Sequence, residues 1–207
     1  MKEVFSNIYH HNLWGDPESL SGPGSTLSRA SAFSDQLALL LRTINAHSVL
    51  DAACGDFNWM KETNLSLDRY IGADIVPEIV EANQRRYASS TLTFIELDIA
   101  ADELPAVDVI LCRDCLVHFS FEDGMNTIRN FKRSKSIYLL TTTFTQFPAN
   151  VDIPTGGWRQ INLEIEPFNF PSPIGLIDEK CSHSGGIYAD KHLALWRLAD
   201  LTVALPS

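Results

Sequence analysis

The sequence predicts an α/β protein whose mostly parallel sheet of about seven strands is doubly wound, with helices on both faces. From Ser48 onward, short apolar runs alternate with amphipathic stretches, which is the pattern of βαβ units. The apolar runs are β-branched or aliphatic and almost continuous, as expected for strands that are covered on both faces. The 207 residues suffice for one hydrophobic core, so we expect a single domain over residues 1–207.

Seven segments have the composition of strands. Five of them lie between residues 48 and 143, and a late pair follows. The predicted strands are 48–52, 70–74, 92–97, 107–112, 136–143, 173–179 and 193–198.

Three helices are predicted from their start signals and amphipathic patterns. Residues 77–88 begin with Pro77, which suits the first turn of a helix. Residues 120–133 begin with Ser120 in a capping-box pattern. A third helix, from about 26 to 44, is expected to cover the sheet before the first strand.

Two segments do not follow this alternation: a lead-in over residues 1–25 and a Pro- and aromatic-rich insertion over residues 146–173. A connection as long as this insertion is usually a lid or binding loop, and a surface loop that covers the sheet edge is the alternative. We expect Trp158, Phe168 and Phe170 to form an aromatic lid that binds the substrate. Anchoring of the loop in the core is the other reading of these rings.

Composition and charge exclude several classes of protein. The formal net charge of −10 repels a phosphate backbone, so we expect no nucleic-acid partner. No apolar run approaches the roughly 20 residues of a membrane span, and the N-terminal residues lack the apolar region of a signal peptide. We expect a cytoplasmic monomer or homodimer without membrane contact. Cys112 and Cys115 form one C-x-x-C without a second pair, so no metal is expected.

The turn after the first strand indicates the kind of ligand. In an open parallel sheet, ligands bind beyond the carboxyl ends of the strands. From Ala52 this turn reads A-A-C-G-D-F and lacks two of the three glycines of a dinucleotide-binding loop, which disfavours a nicotinamide-dependent oxidoreductase. Asp51 and Asp56 flank it and would oppose a pyrophosphate but favour a cation. S-adenosylmethionine, with an ammonium and a sulfonium group, meets this requirement.

Four motifs then carry a resemblance to a known family. "VLDAACG" resembles motif I of the class I, Rossmann-like, S-adenosylmethionine-dependent methyltransferases, and "YIGADI", "FIELDIA" and "VDVILCRDCLVHF" follow in that family's order. Three segments, "CGDFNWM", "CRDCLVHFSFEDG" and "GGWRQINLEIEPFNFP", look like a poorly characterised bacterial branch of it. The resemblance covers roughly Ser25 to Leu201 and implies seven strands with the last one antiparallel. Ala53 and Phe57 replace glycines of the family.

The resemblance also implies the cofactor-binding residues. Asp74 would bind the ribose hydroxyls, Asp98 the adenine amino group and Asp51 the methionine end. Arg29 lies one turn into a helix and could pair with the cofactor carboxylate, although a solvated surface arginine is the alternative. The predicted set is Asp51, Ala53, Cys54, Gly55, Asp74, Ile75, Asp98, Ile99, Arg113 and Arg29.

His118 and Asp114 are the predicted catalytic residues, because they follow the fourth strand, where a methyl group would meet its acceptor. A hydroxyl acceptor must lose a proton, and a histidine that titrates near neutrality suits this role. Asp114 could orient the imidazole or act as the base itself. Positioning alone could also suffice for attack on a sulfonium methyl group.

We therefore expect a methyltransferase that acts on a small molecule, such as a hydroxyl of a sugar or natural product. A protein or peptide acceptor and a non-catalytic cofactor-binding role remain as alternatives.

Overall fold

The computed structural model describes residues 1–181 and 184–202. Seven strands form one sheet, and their bounds are β1 Ser48–Ala52, β2 Arg69–Asp74, β3 Leu92–Glu96, β4 Val109–Cys112, β5 Tyr138–Phe144, β6 Gly175–Asp178 and β7 Lys191–Arg197. Their order in the sheet is β3-β2-β1-β4-β5-β7-β6. All neighbours are parallel except those of β7, which is antiparallel to both β5 and β6. The predicted seven-stranded sheet with one antiparallel strand is confirmed.

The α-helices are α1 Lys2–His10, α2 Leu27–Ala30, α3 Ser34–Thr43, α4 Pro77–Tyr87 and α5 Phe121–Arg133. Short 3₁₀ turns lie at Pro23–Ser25, Met60–Glu62, Leu116–His118, Ser184–Gly186 and Leu198–Asp200. The helices predicted over 77–88 and 120–133 are confirmed as α4 and α5. Within the described ranges, no helix combines the length and the apolar character needed to cross a membrane.

The prediction of one helix over residues 26–44 is wrong, because the chain breaks between α2 and α3. Phe33 has a φ of −129°, outside the helical region, and its N–H donates to the carbonyl of Ala30. This break turns the buried Phe33 ring under the guanidinium of Arg113, 4.7 Å from the ring centroid. The kink therefore serves packing beneath the site described below.

Helices cover both faces of the sheet, as predicted. Along β1, Val49 packs on the face that carries α2, α3 and α4, whereas Leu50 and Ala52 pack on the face that carries α5. The alternation follows from the period of two residues in a strand. Both faces are therefore apolar, and the polar ligand-facing groups are left to the strand ends.

The insertion over 146–173 has no regular secondary structure but is anchored at the end of β5. Ile161 and Leu163 are completely buried. The Phe144 N–H donates to the Ile161 carbonyl at 2.8 Å, and the Leu163 N–H donates to Thr143 Oγ1 at 3.1 Å. The insertion thus continues the core on the α5 face.

Candidate active site

A cavity of about 730 Å³ lies beyond the carboxyl ends of the parallel strands. This is the position at which open α/β sheets bind ligands. The lead-in, the turns after β1, β2, β3 and β4, the insertion and the chain around β6 and β7 all contribute to its wall. The predicted site residues that line it are Asp51, Ala53, Cys54, Gly55, Asp74, Ile75, Asp98, Ile99, Arg113, Arg29, Asp114, His118 and Trp158.

The turn after β1 uses left-handed backbone at three alternate positions. Ala53 has a φ of 73°, Gly55 of 57° and Phe57 of 60°. Gly55 also has no room for a side chain, since an added Cβ would collide with Ser21 Oγ. Ala53 and Phe57 therefore take the conformation that glycine adopts most easily, and the turn keeps its shape at the cost of backbone strain.

Asp56 does not line the cavity, contrary to the expectation that it faces a ligand. Its carboxylate accepts hydrogen bonds from Ser19 Oγ at 2.9 Å, from the Leu20 N–H at 2.9 Å and from Ser21 Oγ at 3.2 Å. Asp56 thereby fastens the lead-in across the turn after β1. The lead-in becomes part of the cavity wall through this anchor.

Asp51 and Asp74 are buried carboxylates at the ends of β1 and β2. Burial raises the pKa of Asp51 to about 7, although a hydrogen bond from the Tyr70 hydroxyl opposes the shift. Burial also raises the pKa of Asp74 to about 6, against hydrogen bonds from the N–H groups of Val76 and Gly55, each at 3.0 Å. A carboxylate has about four lone-pair positions, so both groups can still accept from a ligand.

The next part of the wall is mostly apolar. Ile75 and Ile99 line it together with the half-buried Asp98, whose Oδ1 accepts from the Ala100 N–H at 3.0 Å. Cys54 is buried, and burial raises the pKa of its thiol well above the usual range. Apolar walls with one carboxylate suit a flat, partly polar ring.

Arg29 contributes a positive charge to the wall from α2. It is half-buried, lines the cavity, and forms no salt bridge with any residue in the described ranges. An arginine in this state can take a carboxylate in the two-pronged geometry that its guanidinium favours.

At the end of β4, Arg113 is buried between aromatic rings. Its guanidinium carbon lies 4.7 Å from the ring centroid of Phe33 and 5.4 Å from that of Trp59. Its Nε and Nη2 donate to Glu179 Oε2 at 3.2 and 2.6 Å, and Nη2 also donates to the Gly24 carbonyl at 3.0 Å. These contacts hold the guanidinium in one orientation under the cavity floor.

Asp114 and Lys191 complete a group of four buried or half-buried charges with Arg113 and Glu179. Lys191 Nζ lies 2.6 Å from Asp114 Oδ2 and 3.1 Å from Glu179 Oε2, and Arg113 Nη2 lies 3.3 Å from Asp114 Oδ2. Burial alone would raise the pKa of Asp114, but Lys191 and Arg113 hold it well below its usual range. The two cations and two carboxylates balance each other.

The sequence analysis missed Glu179 and Lys191. Glu179 directly follows β6, and Lys191 is the first residue of β7, an otherwise largely apolar strand. The sequence signal for this pair was an acid and a base that flank two predicted strands. The signal indicates an ion pair only when the antiparallel register is known, because that register places the Glu179 N–H against the Lys191 carbonyl at 3.3 Å.

His118 lines the cavity from the 3₁₀ turn after β4. Its Nδ1 lies 2.7 Å from the carbonyl oxygen of Gly157. Because a carbonyl can only accept, Nδ1 carries the proton and the lone pair of Nε2 is available. Burial lowers the pKa of His118, so the imidazole is neutral at pH 7. Gly157, and not Asp114, makes the hydrogen bond that orients the ring.

The insertion holds the turn that carries His118 through a row of hydrogen bonds. We call residues 155–159 the clamp segment. Its contacts are Gly156 N–H to His118 O at 2.8 Å, Arg159 N–H to Val117 O at 3.0 Å, Ser120 N–H to Thr155 Oγ1 at 2.9 Å, and Arg159 Nη1 to Phe119 O. The imidazole is therefore fixed by a segment about 40 residues further along the chain.

The three predicted lid aromatics are separated in the structure. Trp158 lines the cavity and is 48% exposed. Phe168 and Phe170 lie outside it, buried in the core, with Phe168 packed edge-on against Phe121 and Phe170 against Trp196. The prediction of an aromatic lid therefore does not fit these two rings, because the alternating side chains of 168–170 point into the core that covers α5 and β7.

Helix α1 is a further part of the wall that the sequence analysis did not predict. Met1, Phe5 and Tyr9 line the cavity, and Ile8 is buried. Positions 1, 5, 8 and 9 follow the i, i+4, i+7, i+8 pattern of one helical face, and this pattern could have predicted the helix.

The cysteines of the C-x-x-C are both buried and free of disulfide bonds. In the part of the chain that the structure describes, no group of three or more His, Cys, Asp or Glu side chains is arranged to hold a metal ion.

Comparison with known proteins agrees with this architecture. Residues 49–135 match the family model described as "Methyltransferase domain". Among solved structures, the chain is similar to magnesium protoporphyrin IX methyltransferase from Synechocystis PCC 6803 with bound S-adenosylmethionine, at a TM-score of 0.53 and 16% identity over 73% of this chain and 79% of that one. The same protein with bound S-adenosylhomocysteine gives a TM-score of 0.51 and 15% identity over 74% and 83%. No curated protein sequence matches the chain.

The matched segment contains the ends of β1, β2, β3 and β4, and Asp51, Asp74 and Asp98 line the cavity from it. The chain therefore contains a methyltransferase domain over residues 49–135, which indicates a methyltransferase enzyme. The methyltransferase domain implies S-adenosylmethionine as the methyl donor.

Proposed function

We propose that the protein transfers the methyl group of S-adenosylmethionine to a hydroxyl of a small molecule bound in the same cavity. The observation that carries this proposal is that one space of about 730 Å³ is lined both by Asp51 and Asp74 and by the imidazole of His118. This volume lies within the usual range of small-molecule sites, so it favours a small acceptor beside the cofactor.

The wall residues fit the cofactor group by group. Asp74 would accept from the ribose hydroxyls, Asp98 from the adenine amino group, and Asp51 from the ammonium group of the methionine portion. Arg29 would pair with the methionine carboxylate, since it forms no salt bridge in the described ranges whereas Arg113 and Lys191 are already paired. Ile75, Ile99 and Cys54 would pack against the rings.

The cofactor, when bound, would supply a methyl group on a positively charged sulfur, which would keep the electron pair of the carbon–sulfur bond. His118 Nε2 accepts the proton of the acceptor hydroxyl while the oxygen forms its bond to the methyl carbon. The Gly157 carbonyl keeps Nδ1–H in place and stabilises the imidazolium that results. The negative charge of Asp114 acts in the same direction, since it favours the protonated form of His118.

The test has two stages. Calorimetry should show binding of S-adenosylmethionine and S-adenosylhomocysteine, each more tightly than NAD. The protein with radiolabelled cofactor is then incubated with cell extract, and the extract is separated by size. We expect the label in the low-molecular-mass fraction. Tighter binding of NAD would refute the cofactor assignment, and label confined to macromolecules would refute the small acceptor.

A further inference from the structure

Aromatic side chains from widely separated segments line the cavity that contains His118. We call this set the aromatic wall, and its members are Phe5, Tyr9, Trp14, Phe119, Phe144, Trp158 and Tyr188. They come from α1, the lead-in, the turn after β4, the end of β5, the insertion and the chain before β7. Such a convergence cannot follow from one local pattern.

The rings contact each other mainly at their edges or at a tilt. Trp158 meets Phe144 at 90° with centroids 6.3 Å apart, and Tyr188 at 73° with centroids 5.3 Å apart. Trp14 lies on the imidazole of His118 at 34°, with centroids 5.1 Å apart. Trp158 is nevertheless 48% exposed. A large ring left open inside a cavity is apolar surface that a ligand can cover.

Polar groups are few at His118 and the aromatic wall. The acceptors among them are Nε2 of His118 and the hydroxyls of Tyr9 and Tyr188, whereas the charges of Asp114 and Lys191 are paired with each other at 2.6 Å. A sugar would bring several hydroxyls, and each one buried without a partner costs about 1–3 kcal/mol. The aromatic wall therefore suits a molecule with an extended apolar face and one hydroxyl.

We propose that the methyl acceptor is a flat aromatic molecule that carries a phenol-type hydroxyl and binds against the aromatic wall with this hydroxyl at His118. This inference rests on the proposed function and specifies its acceptor. Aromatic rings attract cations, most strongly where a carboxylate stands beside them. The nearby carboxylate, Asp114, is already balanced by Lys191 and Arg113, so a cationic acceptor fits less well than a neutral one.

The experiment measures binding of two probes to the protein saturated with S-adenosylhomocysteine. The probes are 2-naphthol and methyl α-glucoside, and the measurement is calorimetry supported by tryptophan fluorescence. We expect saturable binding of 2-naphthol and none of the glucoside. Trp158→Ala should weaken 2-naphthol binding about threefold to tenfold, the range expected for the loss of one aromatic contact.

Val151→Ala is the matched control, because Val151 belongs to the same insertion, is 64% exposed and does not line the cavity. It should leave 2-naphthol affinity unchanged. Binding of the glucoside in preference to 2-naphthol would overturn the inference, as would equal 2-naphthol affinity in Trp158→Ala and the unmutated protein. Affinity for S-adenosylhomocysteine is measured first, so a failure of the proposed function is recognised separately from a failure of the acceptor assignment.

Discussion

The ends of β1 and β4 face the same cavity and are built alike, but their carboxylates are in opposite states. Each strand is followed closely by a non-glycine residue in left-handed conformation, Ala53 with a φ of 73° and Asp114 with a φ of 50°. Burial raises the pKa of Asp51 on β1 to about 7, whereas the pKa of Asp114 lies well below its usual range.

Neighbouring cations explain the difference. Asp114 has Lys191 and Arg113 within 3.3 Å. Asp51 accepts a hydrogen bond from the neutral hydroxyl of Tyr70, and the charge of Arg113 lowers the pKa of Asp51 less than this hydrogen bond does. A buried carboxylate without a cation beside it favours a positively charged ligand, and one that is already paired does not. The end of β1 is thus suited to hold the cationic cofactor, and the end of β4 to provide a fixed, charge-balanced floor beside His118.

The largest expected effect concerns the β4 end. His118→Ala should lower turnover of a hydroxyl acceptor about 10²–10⁴-fold, because a positioned base contributes on that scale. Affinity for S-adenosylhomocysteine should stay the same. Steady-state kinetics and calorimetry measure the two quantities. His47→Ala, at an exposed histidine paired with Asp68, is the control and should change neither. Near-normal turnover of His118→Ala would mean that positioning alone supports transfer.

The second prediction removes one partner from the charge-balanced floor. Glu179→Ala leaves Arg113 and Lys191 to share the single carboxylate of Asp114, so one buried positive charge is uncompensated, which typically costs about 3–5 kcal/mol of stability. Urea unfolding measures the change. Glu62→Ala, at an exposed glutamate, should cost little. If Glu179→Ala is no less stable than Glu62→Ala, the four charges do not act as a unit.

The two strand ends also differ in how far sequence reasoning reaches. Asp51, Asp74 and Asp98 can be predicted because they lie in motifs that resemble a known family, and they share one site because parallel strands bring their carboxyl ends to one edge. Glu179 and Lys191 meet through the register of antiparallel strands, which no local pattern specifies. The aromatic wall depends in the same way on the docking of α1 and the insertion.

Asp74 gives the next prediction. Asp74→Asn should weaken binding of S-adenosylmethionine and S-adenosylhomocysteine about tenfold to hundredfold, because hydrogen bonds to a charged acceptor are replaced by bonds to a neutral amide. Asp98→Asn is the comparison, and the half-buried position of Asp98 predicts a smaller loss. Equal calorimetric affinities for Asp74→Asn and the unmutated protein would remove Asp74 from the cofactor site.

The raised pKa of Asp51 predicts a pH dependence of stability. Between about pH 4 and pH 7, the folded protein holds a proton on Asp51 that the unfolded chain has released, so its contribution to stability is lost as pH rises through about 7. Asp51→Asn has no such loss. The free energy of unfolding of Asp51→Asn, relative to the unmutated protein, should therefore increase by about 2–3 kcal/mol from pH 5 to pH 8. A difference that is constant with pH would contradict the raised pKa.

The smallest expected effect compares the two left-handed positions themselves. At Asp114 the side chain is tied to Lys191, so glycine there would relieve strain only by breaking an ion pair. Ala53 has no such tie, and Ala53→Gly should stabilise the fold by about 0.5–1 kcal/mol, because about 1–2 kcal/mol of left-handed strain is removed and part is lost to the greater freedom of glycine in the unfolded chain. Thermal unfolding should show a rise of roughly 1–4 °C.

Ala101→Gly, at an exposed alanine outside the left-handed region, is the control and should not stabilise the fold. A destabilised Ala53→Gly would mean that the methyl group of Ala53 contributes more through packing than its backbone costs.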